Sequence, residues 1–172
     1  MNNLTDKFYT SVLHIKNRSY QQTYQQMKII VQRVSSSSVE VNGNIIGAIN
    51  RGVMLLVGIH ETDTKETIDW CCNKVINLRI FEDDEGKMNR SVADIKGGIL
   101  VIPQFTLYGD VSKGTRPSFI NAAPPGIAEP LFDQMVDVFK DKYGGTVKTG
   151  IFGAMMNVSL VNNGPVTIIL ER

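Results

Sequence analysis

The sequence predicts a single α+β domain in which a curved, barrel-like sheet of antiparallel and mixed strands packs with two main helices. Two observations predict this class: short β-branched or apolar runs recur between turn signals, and two stretches carry the apolar spacing of amphipathic helices. The 172 residues are 42% hydrophobic and 20% charged, and no internal repeat is visible. This globular composition fits one domain of ordinary size.

Residues 1–26 are predicted to be an N-terminal extension, disordered or targeting, ahead of a domain that spans residues 27–172. Residues 21–26 are polar and have no strand or helix period, while residues 1–20 carry three basic side chains and one acid. Such a pattern favours an extension over a packed element. The globular pattern begins at Met27, so Met1 and Met27 are both candidate starts of translation.

The domain is predicted to open with strands. Lys28–Val34 is rich in β-branched residues and is expected to form a strand that Ser35–Ser38 ends. Asn42-Gly43-Asn44 is a hairpin turn signal between two short strands. The apolar run Val53–Ile59 is typical of a buried strand.

A helix is predicted next. Asp63-Thr64-Lys65-Glu66 resembles a capping box. The face that follows is expected to be apolar and consists of Ile68, Cys71, Cys72, Val75 and Ile76. Because adjacent cysteines cannot readily bridge each other, Cys71 and Cys72 are expected as free core residues, which favours a reducing compartment.

The second half is predicted to alternate short strands with one long helix, after a solvated turn at Asp83-Asp84-Glu85-Gly86. The elements are, in chain order, a strand at Gly98–Ile102 running into residues 103–107, a helix at Ala128–Tyr143, a strand at Thr146–Lys148, and strands at Met155–Val161 and Val166–Leu170 joined by Asn162-Asn163-Gly164-Pro165.

The charge balance and the residue inventory exclude several classes of function. With 18 basic and 17 acidic residues the formal charge is +1, so nucleic-acid contact has to come from a local basic patch. Two histidines, His14 and His60, are too few for a His-rich metal site, and no metal or cofactor is expected. No run of about 18 apolar residues predicts a membrane span. We expect a cytoplasmic protein, with organellar targeting by residues 1–26 as the alternative.

Three features are candidates for chemistry, and each also has an ordinary structural explanation. Thr106 follows a buried strand, where functional hydroxyls often lie, but threonine also favours strands for packing reasons. Gly164-Pro165 fits a tight turn and admits a cis peptide bond. Lys113 and Arg116 can hold phosphate or belong to a solvated loop. Taken alone, these features indicate an α+β domain and do not assign a reaction to it.

A series of motifs, taken together, points to a family. They are, in chain order, Val31-Gln32-Arg33-Val34, Leu78-Arg79-Ile80-Phe81-Glu82-Asp83, Gly86-Lys87-Met88-Asn89, Gln104-Phe105-Thr106-Leu107, Lys113-Gly114-Thr115-Arg116-Pro117-Ser118-Phe119, Thr149-Gly150-Ile151-Phe152-Gly153 and Asn162-Asn163-Gly164-Pro165-Val166-Thr167. In this order and at this spacing, residues 27–172 resemble D-aminoacyl-tRNA deacylases. Residues 1–26 have no counterpart in that family's pattern.

The resemblance implies a homodimeric enzyme that hydrolyses the ester between a D-amino acid and the 3′-terminal adenosine of tRNA, at its acceptor end. It also implies removal of glycine from mischarged tRNA. Gly164 and Pro165, here called the gate, are implied to be joined by a cis bond and to enter the partner's pocket, where their carbonyls exclude an L side chain. Arg33 is implied to hold the gate in orientation. Rejecting the wrong enantiomer leaves the enzyme tolerant of many D side chains.

The resemblance also assigns the remaining site residues. It implies that Gln104, Phe105 and Thr106 line the ester site and that Phe152 and Met156 lie in the pocket. No base stands beside Thr106 in its motif, so we expect it to be pocket wall, with the 2′-hydroxyl of the RNA assisting hydrolysis and backbone N–H groups stabilising the oxyanion. Lys113 and Arg116 are the candidate tRNA contacts.

One departure from the family pattern leaves alternatives open. The residue before Gln104 is usually serine in this family and is Pro103 here, which removes a hydroxyl and a backbone N–H. A sister group of tRNA deacylases with relaxed chirality resembles this Pro-Gln variant, and its members clear L-alanyl-tRNA. A non-catalytic tRNA-binding module and a small-molecule esterase are further alternatives, although neither G-x-S-x-G nor a catalytic triad is visible.

Overall fold

The computed structural model describes residues 26–172, so the predicted extension lies outside the described residues except for Gln26. The strands are β1 (Lys28–Val41), β2 (Asn44–Ile49), β3 (Gly52–Gly58), β4 (Phe81–Glu82), β5 (Met88–Arg90), β6 (Gly98–Pro103), β7 (Val147–Thr149) and β8 (Asn157–Glu171). The helices are α1 (Lys65–Asn77), α2 (Pro125–Lys142) and a short 3₁₀ helix (Phe105–Tyr108).

The main sheet is mixed and nearly closes into a barrel, which confirms the predicted fold class. Its order is β2-β1-β3-β6-β7, and β8 pairs with β1. The pairs β3–β6 and β6–β7 are parallel, whereas β1 pairs antiparallel with β2, β3 and β8. Parallel neighbours need crossover connections, and α1 and α2 lie in these two crossovers. The sheet curves until β2 approaches β7, where a Cβ on Gly47 would meet the carbonyl oxygen of Thr149 at 3.2 Å.

Two apolar clusters cover the two faces of the sheet. In β3, Val53, Leu55 and Val57 join the cluster that contains the helices, while Met54 joins the cluster inside the barrel. Strand β6 repeats this alternation, because successive side chains of a strand point to opposite faces. On the helix side, the predicted apolar face of α1 is buried, including Cys71 and Cys72. Because β3 is covered by an apolar cluster on each face, nearly all of its residues are apolar, which explains the continuous hydrophobic run in its sequence.

The serines at 35–38 do not end the first strand, contrary to the prediction. Strand β1 continues to Val41 because its later residues pair with β2 on one side and β8 on the other. Ser37 is buried and donates its hydroxyl to the carbonyl of Ser159 at 2.9 Å, so a polar side chain is accommodated in the strand. The Asn42–Gly43 turn is confirmed, with positive φ angles of 51° and 79°.

The prediction of two strands separated by residues 162–165 is also wrong. Strand β8 is continuous from Asn157 to Glu171. Its register against β1 jumps from Gln32↔Thr167 to Val34↔Asn162, so residues 163–166 lie opposite the single residue Arg33. The segment is thus a wide bulge within one strand, which bends the backbone without ending the ladder.

Three further predictions need correction. The cap of α1 is Thr64 paired with Thr67, rather than Asp63 with Glu66, because the Asp63 carboxylate accepts hydrogen bonds from the backbone of Met27 and His60 instead. Helix α2 begins at Pro125, a favourable first position, and not at Ala128. Residues 105–108 form a 3₁₀ helix and do not continue the strand.

The acidic turn at residues 83–86 is confirmed, and it joins the short strands β4 and β5, which sequence patterns did not predict. Within residues 26–172, no helix has both the length and the apolar character needed to span a membrane.

Candidate active site

The candidate site lies where the parallel strands β3 and β6 end. The N–H of Gln104 donates to the carbonyl of Val57 at 2.7 Å, which ties the end of β6 to the end of β3. The chain then turns into the 3₁₀ helix, closed by a bond from the N–H of Gly109 to the carbonyl of Thr106 at 2.9 Å. Phe105 and Thr106 are exposed as a result, although the strand before them is buried. Carboxyl ends of parallel strands are common places for ligand sites.

A cavity of about 730 Å³ opens beside this turn. Five of the predicted site residues line it together: Gln104, Phe105, Thr106, Phe152 and Met156. Its remaining lining comes from the ends of β3 and β6, residues 119–128 and the segment before β8. The volume is that of a typical small-molecule site.

None of the described residues that line the cavity carries an ionisable side chain. The Thr106 hydroxyl accepts a hydrogen bond from the Gln104 side-chain amide, which is not a base. The arrangement therefore lacks the nucleophile-and-base pair that acyl transfer through a side-chain hydroxyl requires. What the cavity does offer is apolar surface, one amide, one hydroxyl and backbone groups.

Aromatic rings shape the cavity on two sides. Phe105 is 58% exposed and packs edge-on against Phe119, with ring centroids 5.2 Å apart. The ring of Phe152 packs against that of Phe132 in α2, with ring centroids 6.3 Å apart, so Phe152 lies between the helix and the cavity. Phe119 belongs to a sequence motif but was not predicted as a site residue, because nothing in its local pattern distinguishes it from an aromatic side chain of an ordinary loop.

The gate residues do not line this cavity in their own chain. Gly164 and Pro165 are exposed in the bulge of β8, and the bond between them is cis. Gly164 has φ 120°, a conformation that favours glycine, and a Cβ there would meet Nη2 of Arg33 at 2.7 Å. Close packing and backbone geometry both require glycine at this position.

The buried side chain of Arg33 contacts the backbone of the β8 bulge. This side chain is 4% exposed, and its Nε donates to the carbonyl of Asn163 at 2.9 Å while Nη1 donates to the carbonyl of Ile80 at 2.6 Å. Nη2 lies 3.9 Å from the carboxylate of Glu82 in β4. One rigid guanidinium thus links the bulge of β8 to the β4 region, which a lysine could not do with the same geometry.

The predicted tRNA contacts lie apart from the cavity. Lys113 and Arg116 are exposed in a loop whose ends are paired by a bridge between Asp110 and Ser118. They line neither the main cavity nor a smaller one of about 370 Å³ beside Lys28 and Tyr108. Among residues 26–172, no group of three or more His, Cys, Asp or Glu side chains is placed to hold a metal ion.

The chain is similar in sequence to proteins of one family. Residues 30–171 match the family model described as D-Tyr-tRNA(Tyr) deacylase. A protein of Desulfatibacillum aliphaticivorans named D-aminoacyl-tRNA deacylase is 53% identical over 145 residues, which are 84% of this chain and 99% of that one. A protein of the same name from Acaryochloris marina is 56% identical over 146 residues, covering 85% of this chain and 96% of that one.

Two solved structures share the fold. One, titled c-Myc DNA Unwinding Element Binding Protein, superposes with a TM-score of 0.80 at 42% identity and covers 84% of this chain and 98% of that one. A second, titled as a probable eukaryotic D-amino acid tRNA deacylase, has a TM-score of 0.75 at 19% identity, covers 86% of this chain and 100% of that one, and supports the fold alone. On the family match and the identity to its curated relatives, the chain belongs to the D-Tyr-tRNA(Tyr) deacylase family.

Proposed function

We propose that this protein hydrolyses the ester bond of D-aminoacyl-tRNA and releases the free amino acid and tRNA. The observation that carries the proposal is the cavity at the ends of β3 and β6, which gathers Gln104, Phe105, Thr106, Phe152 and Met156 in a chain of this family. The 3′-terminal adenosine and its aminoacyl group are the ligand proposed for it.

The proposed chemistry relies on the substrate more than on side chains. An aminoacyl ester lies next to the ribose 2′-hydroxyl, which activates it toward water, so the protein has to position the ester and stabilise the oxyanion. The first amides of a helix have no acceptor within the helix, and Phe105 and Thr106 occupy that place in the 3₁₀ helix beside the cavity. Thr106, bonded to Gln104, is pocket wall in this mechanism.

Chiral selection is assigned to the gate of the partner protomer. Gly164 and Pro165 are exposed and lie outside their own cavity, while Arg33 fixes the adjacent backbone from inside the fold. A rigid backbone edge inserted beside the α-carbon would exclude an L side chain and leave room for a D side chain. Glycine has no side chain to exclude, so glycyl-tRNA is also a proposed substrate.

The homodimer that this mechanism needs is supported by β8. Within residues 26–172, β8 pairs only with β1, so its other edge is free along 15 residues. Two of its apolar side chains are strongly exposed, Val161 at 57% and Ile169 at 66%. A long edge strand with exposed apolar side chains offers unpaired backbone groups and apolar surface with which a second copy of the chain can associate.

The tRNA itself is proposed to contact Lys113 and Arg116, whose exposed loop offers cations for backbone phosphates. Removing both charges should weaken substrate binding and reduce its dependence on salt concentration. The free, buried Cys71 and Cys72 favour a reducing compartment, and we place the activity in the cytoplasm.

A second candidate function rests on Pro103. This residue ends β6 and has neither the backbone N–H nor the hydroxyl that the serine usual at this place in the family would supply. A deacylase of relaxed chirality, acting on L-alanyl-tRNA, is the function that this feature favours.

A four-substrate assay tests the proposal. D-tyrosyl-, L-tyrosyl-, L-alanyl- and glycyl-tRNA are each incubated with the purified protein, and loss of the ester is compared with spontaneous hydrolysis. We expect the D-tyrosyl and glycyl esters to be hydrolysed and both L esters to persist. Rapid loss of the L-alanyl ester would support the second candidate, and binding without hydrolysis would support a non-catalytic module.

A further inference from the structure

Asp63 is a buried acid that the proposed reaction does not use. Its side chain lies between the start of β1 and the start of α1 and is 8% exposed. One carboxylate oxygen accepts from the N–H of His60 at 2.7 Å, and the other accepts from the N–H of Met27 at 3.1 Å. Within residues 26–172, the ion pairs of the fold do not include Asp63.

Two acceptors compete for the hydrogen of Met27. The peptide nitrogen has one hydrogen, yet it lies 3.1 Å from the Asp63 carboxylate and 3.0 Å from the carbonyl oxygen of Arg172. Met27 itself is fully buried. A group with three hydrogens and a positive charge at this nitrogen would satisfy both acceptors separately and neutralise the carboxylate. An α-ammonium group is such a group.

The electrostatics around Asp63 point the same way. Burial raises the pKa of Asp63 to about 6, because the two backbone hydrogen bonds only partly offset the loss of water. The neighbouring titratable groups include the Cys71 thiol and the Tyr108 hydroxyl, both with a raised pKa, and these two supply no positive charge. The third is His60, which binds the carboxylate through its backbone N–H while its ring Nδ1 is hydrogen-bonded to Thr62. Two cations adjoin Met27, Lys28 in sequence and Arg172 by backbone pairing, and both contact other groups: Lys28 pairs with Glu171 and Arg172 lies over the Trp70 ring. A buried carboxylate without a cation is costly, and a hydrogen-bonded cationic partner offsets part of that cost.

The lengths of the relatives place a chain terminus near this site. Matches of 145 to 148 residues cover 99 to 100% of two relatives but only 84 to 85% of this chain. The family model begins to match at residue 30. The residues before Met27 are therefore outside the length that the family shares.

We propose that the functional chain begins at Met27 and that its free α-ammonium group binds the Asp63 carboxylate as a buried ion pair. The bond between Gln26 and Met27 is then a processing point, or Met27 is the site of translation initiation. In both cases the N-terminus is part of the fold, because the same nitrogen also binds the last residue of the domain.

Cleavage of the full chain tests the ion pair. Residues 22–26 are replaced by the recognition sequence of a protease that leaves Met27 as the first residue, and thermal unfolding is followed before and after cleavage. We expect cleavage to raise the Tm at pH 7 by about 2 °C or more. The increase should shrink toward pH 3, where Asp63 becomes protonated, and above about pH 8, where an α-amino group loses its charge.

Asp63→Asn is the variant in which the increase should disappear, and Glu61→Gln, an exposed acid two residues away, is the matched control in which it should persist. Because the Asp63→Asn substitution also disturbs the two backbone hydrogen bonds of the carboxylate, a carboxyl ¹³C titration of the unsubstituted protein provides a second measurement. Cleavage should lower the pKa of Asp63 from about 6 to below its ordinary value of 3.8. An unchanged pKa, or a Tm increase that Asp63→Asn retains, would overturn the ion pair.

The N-terminus of the protein isolated from its own cells tests the processing point. Intact-mass analysis should give the mass of residues 27–172. A chain that still carries the preceding residues would show that Met27 is not the functional N-terminus.

Discussion

Thr106 carries the one side-chain hydroxyl among the described residues that line the cavity, so its role is the first question at the level of single residues. That hydroxyl is bonded to the Gln104 amide, and no ionisable side chain lines the described cavity. A hydroxyl without a base stays protonated at neutral pH and is a weak nucleophile. The role proposed for Thr106 is therefore to shape the cavity and not to attack the ester.

Removing this hydroxyl should have a small effect. Thr106→Ala is expected to slow hydrolysis of D-tyrosyl-tRNA by less than about tenfold, which corresponds to about 1.4 kcal/mol in the barrier. Thr106→Val is the matched control, because it keeps the branched shape and loses only the hydroxyl. Single-turnover rates with bound substrate make the comparison. A loss of several thousandfold in both variants, with binding intact, would identify Thr106 as a catalytic residue.

Substitution of Gly164 tests whether the backbone geometry of the gate determines chiral selection. With φ 120° and Nη2 of Arg33 only 2.7 Å from the place of a Cβ, Gly164→Ala should displace the bulge. We expect loss of D-tyrosyl-tRNA hydrolysis, weaker rejection of L-tyrosyl-tRNA, or both. Gly43→Ala is the control: its φ is 79° and a Cβ there meets nothing within 4 Å, so it should cost about 1–2 kcal/mol of stability and leave chirality unchanged. If Gly164→Ala keeps both rate and chiral ratio, the gate lies elsewhere.

At the scale of elements, the parallel pair β3–β6 positions the site, since its carboxyl ends carry the turn at Gln104. The pair is closest where Gly52 lies opposite Gly98, and a Cβ on Gly52 would meet the Gly98 carbonyl oxygen at 2.0 Å. No side chain can move to relieve that contact, because both partners are backbone. Glycine at this point sets the spacing of the strands.

A methyl group at Gly52 should therefore strongly destabilise the fold. Gly52→Ala is expected to cost about 3 kcal/mol or more in the free energy of unfolding, as overpacking of a rigid contact does. Gly126→Ala, in the first turn of α2, meets nothing within 4 Å and should be neutral or stabilising by up to about 1 kcal/mol. Urea unfolding of the two variants decides, and equal stability would mean that the strands separate more easily than their backbone contacts indicate.

The elements also show where sequence patterns stop being informative. Local signals predicted α1, α2 and β3 well, because an apolar face or a buried run follows directly from burial. They failed at Ser35–Ser38 and at residues 162–165, where long-range pairing with β1 and β8 keeps polar or glycine- and proline-containing segments within strands. The 3₁₀ turn at residues 105–108 was missed for a related reason: it is set by the bond between Gln104 and Val57, which are far apart in sequence.

Some site residues could be identified from the sequence and others could not. Gln104, Phe105 and Thr106 are contiguous, so a motif identifies them, and the structure places them with Phe152 and Met156 in one cavity. No local pattern connects Arg33 to Asn163 and Ile80, because those contacts exist only after β1, β4 and β8 assemble. The roles that the resemblance implies for the gate, and for Lys113 and Arg116, stay predictions.

At the scale of the whole molecule, the single chain holds a cavity and a gate that do not meet. In the proposed two-fold dimer, each protomer's gate would serve the cavity of the other protomer. The free edge and exposed apolar residues of β8 adjoin the gate, so the same association that covers them would complete both sites.

A mixed dimer shows whether the gate acts on the cavity of its own protomer or on that of the partner. One protomer carries Ala154→Trp, a bulky substitution at a residue that lines the cavity and is not part of the gate. The other carries Gly164→Ala, which should displace the gate at a residue outside the cavity lining. Two affinity tags isolate the mixed species, and its hydrolysis of D- and L-tyrosyl-tRNA is measured beside each variant homodimer. If each gate acts on the partner's cavity, the variant homodimers should be inactive or unselective. The mixed dimer should then show the wild-type chiral ratio at about half the wild-type rate, since one of its two symmetric sites is intact. A mixed dimer that hydrolyses D-tyrosyl-tRNA no better or more selectively than its parents would contradict the proposed arrangement.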